Sequence, residues 1–191
     1  MRATLALFVG IGLALTLGLW SAYLAVRSPA PIDTITMGAW QAWPNAGTAD
    51  VDPYSRARLA RTGEIPLGSG EGLMLLAQAD DSGNPLLARC DYLVEGQTPP
   101  ARLWTLSVED LAGRVVREQD EFAALSSDVL LRNADGGFRI ALSATPKAGN
   151  WVPTGGAPQF RIVVRLYDTT ARVVTALTTL TMPSLVRDRC L

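Results

Sequence analysis

The chain has 191 residues, with 17 Lys and Arg against 18 Asp and Glu, two Cys and no His. Without histidine it can form neither a Ser-His-Asp triad nor a His-ligated metal site, and two cysteines cannot supply a four-thiolate zinc site. The net charge of -1 argues against nucleic-acid binding, which needs a basic face, and we expect no metal or other cofactor.

The first predicted element is a membrane-spanning helix. Residues 3–26 carry no charge, and at about 1.5 Å per residue they reach about 36 Å as a helix, more than a hydrocarbon core of about 30 Å. A cleaved secretory signal is the alternative. Its apolar run is usually about 7–15 residues, and cleavage at the nearest sites would leave Trp20 or Tyr23 where a small residue is needed. We therefore favour an uncleaved signal anchor over residues 1–27.

The charges that flank this segment predict its orientation. The N-terminal amine and Arg2 precede it, whereas Arg27 alone follows it closely and Asp33 comes soon after. The positive-inside rule then places the N-terminus in the cytoplasm and the C-terminal bulk of the chain outside. In a bacterium the chain would be a single-pass inner-membrane protein with a periplasmic domain.

Small residues recur every four positions along the same segment, at Ala6, Gly10, Ala14, Gly18 and Ala22. On a helix they share one side, where small side chains let a second helix approach closely. A homodimer through Gly10, Ala14 and Gly18 is one hypothesis. Chance spacing is the other, since small residues are common in membrane helices.

The predicted anchor leads into a short linker and then one domain. The run Ser28-Pro29-Ala30-Pro31 favours extended backbone, because proline fixes its own φ and restricts the residue before it. We expect a linker over residues 28–37 and a single ectodomain over residues 38–191. Its clearest helix lies between Asp52, a good N-cap that precedes a proline, and Gly63, which can end the helix in the left-handed conformation.

Most of the remaining domain is predicted to form β-strands. Apolar and polar residues alternate with a period of two, which puts one set inward and the other outward. The alternation is clearest over residues 86–94, 138–142 and 160–167, with further candidates at 73–77, 102–108, 129–132 and 173–180. Turn signals separate these runs, so the pattern predicts a mainly β fold: an antiparallel β-sandwich or jelly-roll-like ectodomain with one short helix.

The two cysteines are predicted to pair. Cys90 lies within a predicted strand and Cys190 is the penultimate residue. In an oxidising compartment two cysteines of one small domain often form a disulfide, and this one would tie down the C-terminus. The alternative is a free, buried Cys90, because cysteine also behaves as a small hydrophobe.

A series of motifs resembles a known family. Their order along the chain is Asp52-Pro53-Tyr54-x-Arg56-Ala57, Gly63-x-x-Pro66-Leu67-Gly68, Pro99-Pro100-Ala101-Arg102-Leu103-Trp104-Thr105-Leu106, Asp135-Gly136, Asn150-Trp151-x-Pro153 and Arg165-Leu166-Tyr167. Over about residues 38–167 the chain resembles the bacterial domain-of-unknown-function family 1214. The resemblance implies a β-rich, jelly-roll-like domain and supplies no catalytic residues. Larger members pair this domain with a companion half, in whose place this chain has the predicted anchor.

Two groups of residues are candidates for binding a ligand. Asn150 and Trp151 lie in a Gly- and Pro-rich stretch, residues 145–156, and could stack on and hydrogen-bond a sugar or another planar-faced ligand. Arg102, Arg161 and Arg165, together with Trp104 and Tyr167, could form an anion pocket, because arginine forks grip carboxylate and phosphate. One alternative is that Trp151 closes the open end of the sandwich. The other is that the arginines are ordinary solvated residues paired with Asp91, Glu109 or Asp168, and that Trp104, which shares a strand face with Leu106, lies in the core.

No catalytic residues can be assigned from the sequence. The adjacent acidic pairs Asp80-Asp81 and Glu109-Asp110 lie beside turn signals, and neighbours in a strand point to opposite faces, so neither pair suits glycoside hydrolysis. The sequence therefore favours a membrane-anchored envelope protein whose domain is a non-catalytic binding or interaction module. The alternative is a periplasmic enzyme that acts on a carbohydrate or a phosphorylated ligand.

Overall fold

The computed structural model of the protein describes residues 2–27, 33–68, 70–118, 121–155, 157–169 and 180–190. The elements of this part of the chain are α1 (Arg2–Arg27), β1 (Ile35–Met37), β2 (Trp40–Ala42), α2 (Pro53–Thr62), β3 (Gly72–Ala77), β4 (Cys90–Gly96), β5 (Leu103–Asp110), β6 (Arg117–Glu118), β7 (Glu121–Phe122), β8 (Ala124–Ser126), β9 (Phe138–Ser143), β10 (Asn150–Pro153), β11 (Phe160–Tyr167) and β12 (Ser184–Cys190).

Helix α1 is long and apolar enough to cross a membrane, a property that membrane anchors share with signal sequences. None of its residues is buried against the rest of the chain. Near its end, Ala22, Ala25 and Val26 are half-buried, and the helix contacts α2.

Helix α2 has the caps that its sequence predicts. The Asp52 carboxylate accepts hydrogen bonds from the backbone N–H groups of Tyr54 and Ser55, at 2.9 and 3.0 Å. At the other end Gly63 adopts a left-handed φ of 69°, and its N–H bonds the carbonyl of Leu59. A β-carbon at this position would be strained, so glycine ends the helix where the sequence indicates.

The domain is a sandwich of two main sheets, which confirms the predicted mainly β class. The six-stranded sheet has the order β1-β2-β3-β11-β5-β8, and the four-stranded sheet has the order β10-β9-β4-β12. A small ribbon pairs β6 with β7. Neighbours in the six-stranded sheet are antiparallel, with Arg165 opposite Met74 on one side and Thr105 on the other.

The hydrophobic core lies between the two sheets, where the inward residues of both are buried together. Two aromatic contacts join the sheets across it. Tyr92 of β4 meets Phe160 of β11 edge to face at 5.7 Å, and Trp104 of β5 lies 5.0 Å from Phe138 of β9. Trp104 therefore belongs to the core, as its alternation with Leu106 predicts, and large aromatic side chains fix the distance between the sheets.

One pairing differs from the predicted antiparallel arrangement. Strand β10 runs parallel to β9, with Asn150 opposite Ile140 and Pro153 opposite Ser143. Residues 145–156 are therefore not one long loop, because they contain a strand at the sheet edge. For the two strands to run in the same direction, residues 144–149 must lead the chain back along the sheet, which places this connection over the sheet surface.

Other boundaries also differ from the prediction. The first strand of the sheet starts at Ile35, inside the predicted linker, and Met37 is already buried in the core. Strand β4 starts at Cys90, because Ala88 and Arg89 form a turn before it, whereas Leu87 makes only an isolated bridge to Gln159. The predicted strand at 129–132 contributes only a bridge between Arg132 and Phe138. Half of the predicted linker (28–32), residues 173–179 of the candidate strand at 173–180, and Gly156 lie outside the described residues.

A disulfide joins Cys90 to Cys190, across a sequence separation of 100 residues. The two residues are direct partners in the antiparallel pair β4–β12. Cys90 is buried and Cys190 is exposed. The bond therefore ties the last strand of the chain to the centre of the four-stranded sheet.

Candidate functional site

The outer face of the six-stranded sheet holds a buried ion network centred on Glu109. Arg161 donates to Oε2 of Glu109 from Nε at 3.1 Å and from Nη2 at 2.8 Å. Arg165 reaches Oε1 at 3.0 Å, and Ser107 bonds the same oxygen at 3.3 Å. Arg161 also donates to Glu64 at 2.7 Å, which ties the segment after α2 to the sheet.

Arg161 stays charged although it is buried. The side chains of Glu109 and Arg161 are only 1% and 6% exposed. Burial by itself would lower the pKa of Arg161, but its hydrogen bonds to Glu109 and Glu64 outweigh burial and raise that pKa. Both Glu109 oxygens accept from arginine, so the network is closed on itself and does not present a free arginine fork to an anion.

The backbone makes room for Arg161 at Gly113. A β-carbon at position 113 would lie 2.8 Å from Nη2 of Arg161, and the residue has a φ of +84°, which side chains rarely adopt. Glycine thus satisfies two requirements there, the left-handed turn after β5 and the close approach of the guanidinium group.

Arg102 and Tyr167 lie at the same sheet as Arg165, so the structure brings three of the predicted site residues to one region. Arg102 Nε lies 3.0 Å from the Asp168 carboxylate, and both side chains are mostly exposed. Tyr167 is half-buried on the same strand as Arg165. Arg102 thus forms a surface ion pair, as the alternative to an anion pocket predicts. Such exposed pairs contribute little to stability.

Asn150 and Trp151 lie on the other sheet, in its edge strand β10. The Asn150 amide accepts from Leu131 N at 2.8 Å and donates to the carbonyls of Leu131 and Arg139 at 2.8 and 3.0 Å. The Trp151 indole N–H bonds the Ser143 carbonyl at 3.0 Å. These polar groups close the sheet edge, and the structure does not bring Trp151 and Arg102 into one pocket.

A groove of about 330 Å³ lies on the outer face of the four-stranded sheet. Its floor includes Leu93 of β4 and Ala141 of β9, and its walls come from residues 131–133 and 147–150. The register places Trp151, Ala141, Leu93 and Val186 in one row across the four strands. This row is apolar, and charged residues flank it, among them Asp91 and Arg139.

Asp91 organises the charges in this groove. Its carboxylate accepts from Ser143 Oγ at 2.6 Å, from Lys147 Nζ at 2.8 Å and from Arg189 Nε at 2.8 Å. Burial by itself would raise the pKa of Asp91, but these hydrogen bonds outweigh burial and lower it to about 2. The ion pair with Lys147 also fixes the return connection between β9 and β10 on the sheet surface.

The Ser143, Asp91 and Lys147 cluster is not arranged for nucleophilic catalysis. Ser143 has no exposed surface and gives its hydroxyl proton to a carboxylate whose pKa is low. A nucleophile must reach its substrate, and its base must be able to take up the proton. Within the described part of the chain, no group of three or more Cys, Asp or Glu residues could hold a metal ion.

A second cavity lies beneath α2, but it has room for little more than one water. Its volume is about 30 Å³, and its lining includes Arg58, Leu59, Pro66 and Met74. Ligands usually occupy sites of about 300–1,000 Å³, so this small cavity is not a candidate ligand site.

The sequence predicts Glu109 and Asp91 only as ion-pair partners of arginines, and it does not single out their central positions or that of Lys147. The only signal in the sequence was the period-two alternation of the two strands. It places Glu109 and Ser107 on the outward face of one strand, and Arg161 and Arg165 on the outward face of the other. Which outward residues face one another depends on the pairing of β5 with β11, and these strands lie about 50 residues apart. Because outward positions are usually solvated, the pattern also misses their burial.

The family comparison matches residues 71–171 to a protein family described as a protein of unknown function, DUF1214. This range runs from just before β3 to just after β11. No curated protein matches the chain.

A solved structure from Vibrio parahaemolyticus shares the fold. The VPA0106 protein from Vibrio parahaemolyticus has a TM-score of 0.59 at 17% identity, over 73% of this chain and 36% of that one. An uncharacterized protein from Burkholderia cenocepacia has a TM-score of 0.44 at 22% identity, over 66% of this chain and 32% of that one. The chain thus spans about a third of the length of each of these proteins.

Proposed function

Because the chain belongs to the family of proteins of unknown function DUF1214, which supplies no activity, we propose its function from its own surfaces. We infer that it is a membrane-anchored protein of the bacterial cell envelope and that its domain is a non-catalytic binding or interaction module. Helix α1 would be the anchor, with the N-terminus in the cytoplasm and the domain in the periplasm, as the flanking charges predict.

One observation carries the non-catalytic part of this proposal: the strongest charged groups of the domain neutralise one another. Glu109 is held by two arginines, and Asp91 by Ser143, Lys147 and Arg189. An acid–base catalyst needs a group whose pKa lies near the working pH and a reactive atom within its reach. A carboxylate that accepts three hydrogen bonds and has a pKa of about 2 is suited to holding a surface in shape.

The groove on the four-stranded sheet is the surface we assign to binding. It combines an apolar floor around Leu93 and Ala141 with a rim of charged side chains. Apolar contact area beside charged groups is typical of sites where another molecule docks. Asn150 holds the sheet edge and one wall in place through its bonds to Leu131 and Arg139.

A second candidate function is a periplasmic enzyme for a carbohydrate or a phosphorylated ligand. The observation that favours it is the same groove, because its lining includes Arg132, Arg139 and Lys147 and it lies beside Trp151. Basic side chains suit phosphate, and an aromatic ring suits a sugar face.

Affinity recovery of the tagged full-length chain from native membranes, after brief crosslinking, tests the proposal. Leu93→Arg places a charge on the floor of the groove, and Leu111→Arg makes the same change at an exposed position after β5. We expect one envelope component to be recovered with the wild type and with Leu111→Arg but lost with Leu93→Arg. Turnover of a sugar or phosphate ester by the purified full-length chain, abolished by Leu93→Arg, would establish the enzyme instead.

A further inference from the structure

We propose that the outer surface of α2 rests on the anionic phospholipid headgroups of the membrane that α1 crosses. This inference rests on the proposed anchoring of the chain by α1. It adds a second contact between the protein and the bilayer. Two contacts fix the orientation of the domain relative to the membrane. Three observations carry it: a short tether, a contact between α1 and α2, and the charge of α2.

The tether between the anchor and the domain is short. Helix α1 ends at Arg27 and residues 28–32 precede Asp33, which already lines the small cavity beneath α2 together with Ser55 and Leu59. Even fully extended, such a tether spans only about 20 Å. The part of the domain around α2 therefore cannot lie far from the membrane surface.

The end of α1 also touches α2 directly. Ala22, Ala25 and Val26 are the half-buried residues of α1, and the two helices are in contact. Trp20 and Tyr23 lie in the same turns, with their rings 6.1 Å apart, and Arg27 lies 4.4 Å over the Tyr23 ring. Tryptophan, tyrosine and arginine at the end of a membrane helix mark the headgroup region, so α2 lies at that level.

The charge and side chains of α2 suit an anionic surface. Its ten residues include three arginines and no acid. Arg56 and Arg61 are exposed, whereas Arg58 is half-buried and interacts electrostatically with Glu64. Each basic residue near an anionic bilayer strengthens association by about five-fold, so the two exposed arginines would hold the helix against it.

The acidic side chains near α2 either bond to other groups of the protein or lie outside the helix. Asp52 caps the helix, and Glu64 is paired with Arg161. Asp33 and Asp50 are exposed, but they precede the helix in the chain. Tyr54, at 42% exposure, and Ile65, at 91%, add an aromatic and an aliphatic group of the kind that enters the headgroup region.

Fluorescence quenching of a label on α2 tests this proposal. The full-length chain with Ala57→Cys, labelled with a small fluorophore, is placed in nanodiscs of phosphatidylcholine alone or with one-third phosphatidylglycerol. Cys90 and Cys190 are joined to each other and do not take up the label. We expect quenching by acrylamide, which is uncharged, to fall about two-fold in the anionic discs and to recover in about 1 M salt.

Matched controls separate lipid binding from other effects. A label at Val129→Cys, an exposed site away from α2, should be quenched equally in both lipids. Arg56→Glu with Arg61→Glu should remove the protection, and the milder Arg56→Gln with Arg61→Gln should weaken it. Arg89→Glu with Arg114→Glu makes the same change in charge at exposed positions elsewhere and should leave it intact.

The outcomes distinguish this inference from the anchor that it assumes. Extraction of the membranes with alkaline carbonate comes first, and a chain released by it would overturn the anchor together with the inference. An anchored chain whose Ala57 label is quenched equally in both lipids would overturn the inference alone. Equal protection in the Arg56 and Arg61 variants would also overturn it, because the contact would then not depend on these charges.

Discussion

The Oε2 atom of Glu109 lies 2.8 Å from Nη2 of Arg161, on the outer face of the six-stranded sheet, where both side chains are nearly inaccessible to solvent. Glu64 on one side and Arg165 on the other extend this pair into a network that links the segment after α2 to β5 and β11. The charges on this face therefore stabilise the fold, and the groove on the opposite sheet is the surface that we propose for binding.

Glu109→Gln should destabilise the domain by about 3 kcal/mol, because it removes one of the two carboxylates that pair with the buried Arg161 and the carboxylate that pairs with Arg165. Denaturant unfolding of the full-length chain in detergent, followed by tryptophan fluorescence, measures the change. Asp168→Asn is the matched control: it removes the exposed partner of Arg102 and should cost less than about 1 kcal/mol. Equal losses for the two variants would contradict the assignment of Glu109 as the centre of a buried network.

Asp91 should make the domain sensitive to acid. Its pKa of about 2 in the folded chain lies below the ordinary value of 3.8, so the ionised form favours folding. This contribution, about 2 kcal/mol, is complete above about pH 4 and is lost as the pH falls from 4 towards 2. The unfolding midpoint of the wild type should fall over this range, and that of Asp91→Asn should fall less. Parallel profiles would contradict the prediction.

Cys190→Ser should lower the free energy of unfolding by about 2–5 kcal/mol, because opening the bond releases a closed loop of about 100 residues in the unfolded chain. Cys190 is the better position to change, since it is exposed and serine fits there without a new buried polar group. Reduction of the wild type should reproduce the effect. Two titratable thiols in the unfolded, unreduced wild type would show that the bond does not form.

The proposed homodimer through α1 predicts a specific dependence on its small residues. Gly10→Leu with Gly18→Leu should reduce crosslinked dimer in membranes several-fold, because leucine keeps two helices apart where glycine lets them touch. Gly12→Leu adds the same bulk on the opposite side of the helix and should leave the dimer intact. An unchanged dimer in the double variant would show that the repeat is chance spacing.

The caps and most long strands could be predicted because their signals are local. Asp52 and Gly63 bound α2 through bonds to residues two to four positions away, and the period-two alternation over residues 138–142 and 160–167 gave the inward side chains of β9 and β11. The fold class follows from the number and spacing of such runs.

The site could be predicted only in part, because it depends on pairings between distant segments. The direction of β10 is set by a connection that Lys147 holds to Asp91, 56 residues away in the chain. The partnership of Glu109 with Arg161 likewise requires the register of β5 against β11. Asn150 and Trp151 were predicted as ligand-binding residues, and in the structure their polar groups bond to neighbouring backbone at the sheet edge.

The most direct test of the central claim is the state of the chain in the cell. A full-length chain tagged at both ends is expressed, and its membranes are extracted with carbonate and shaved with protease from outside. The anchored envelope protein predicted here stays in the membrane at full length, loses its C-terminal tag to the protease and keeps its N-terminal tag. A soluble chain that lacks the first 20–25 residues or so, as after signal cleavage, would contradict it.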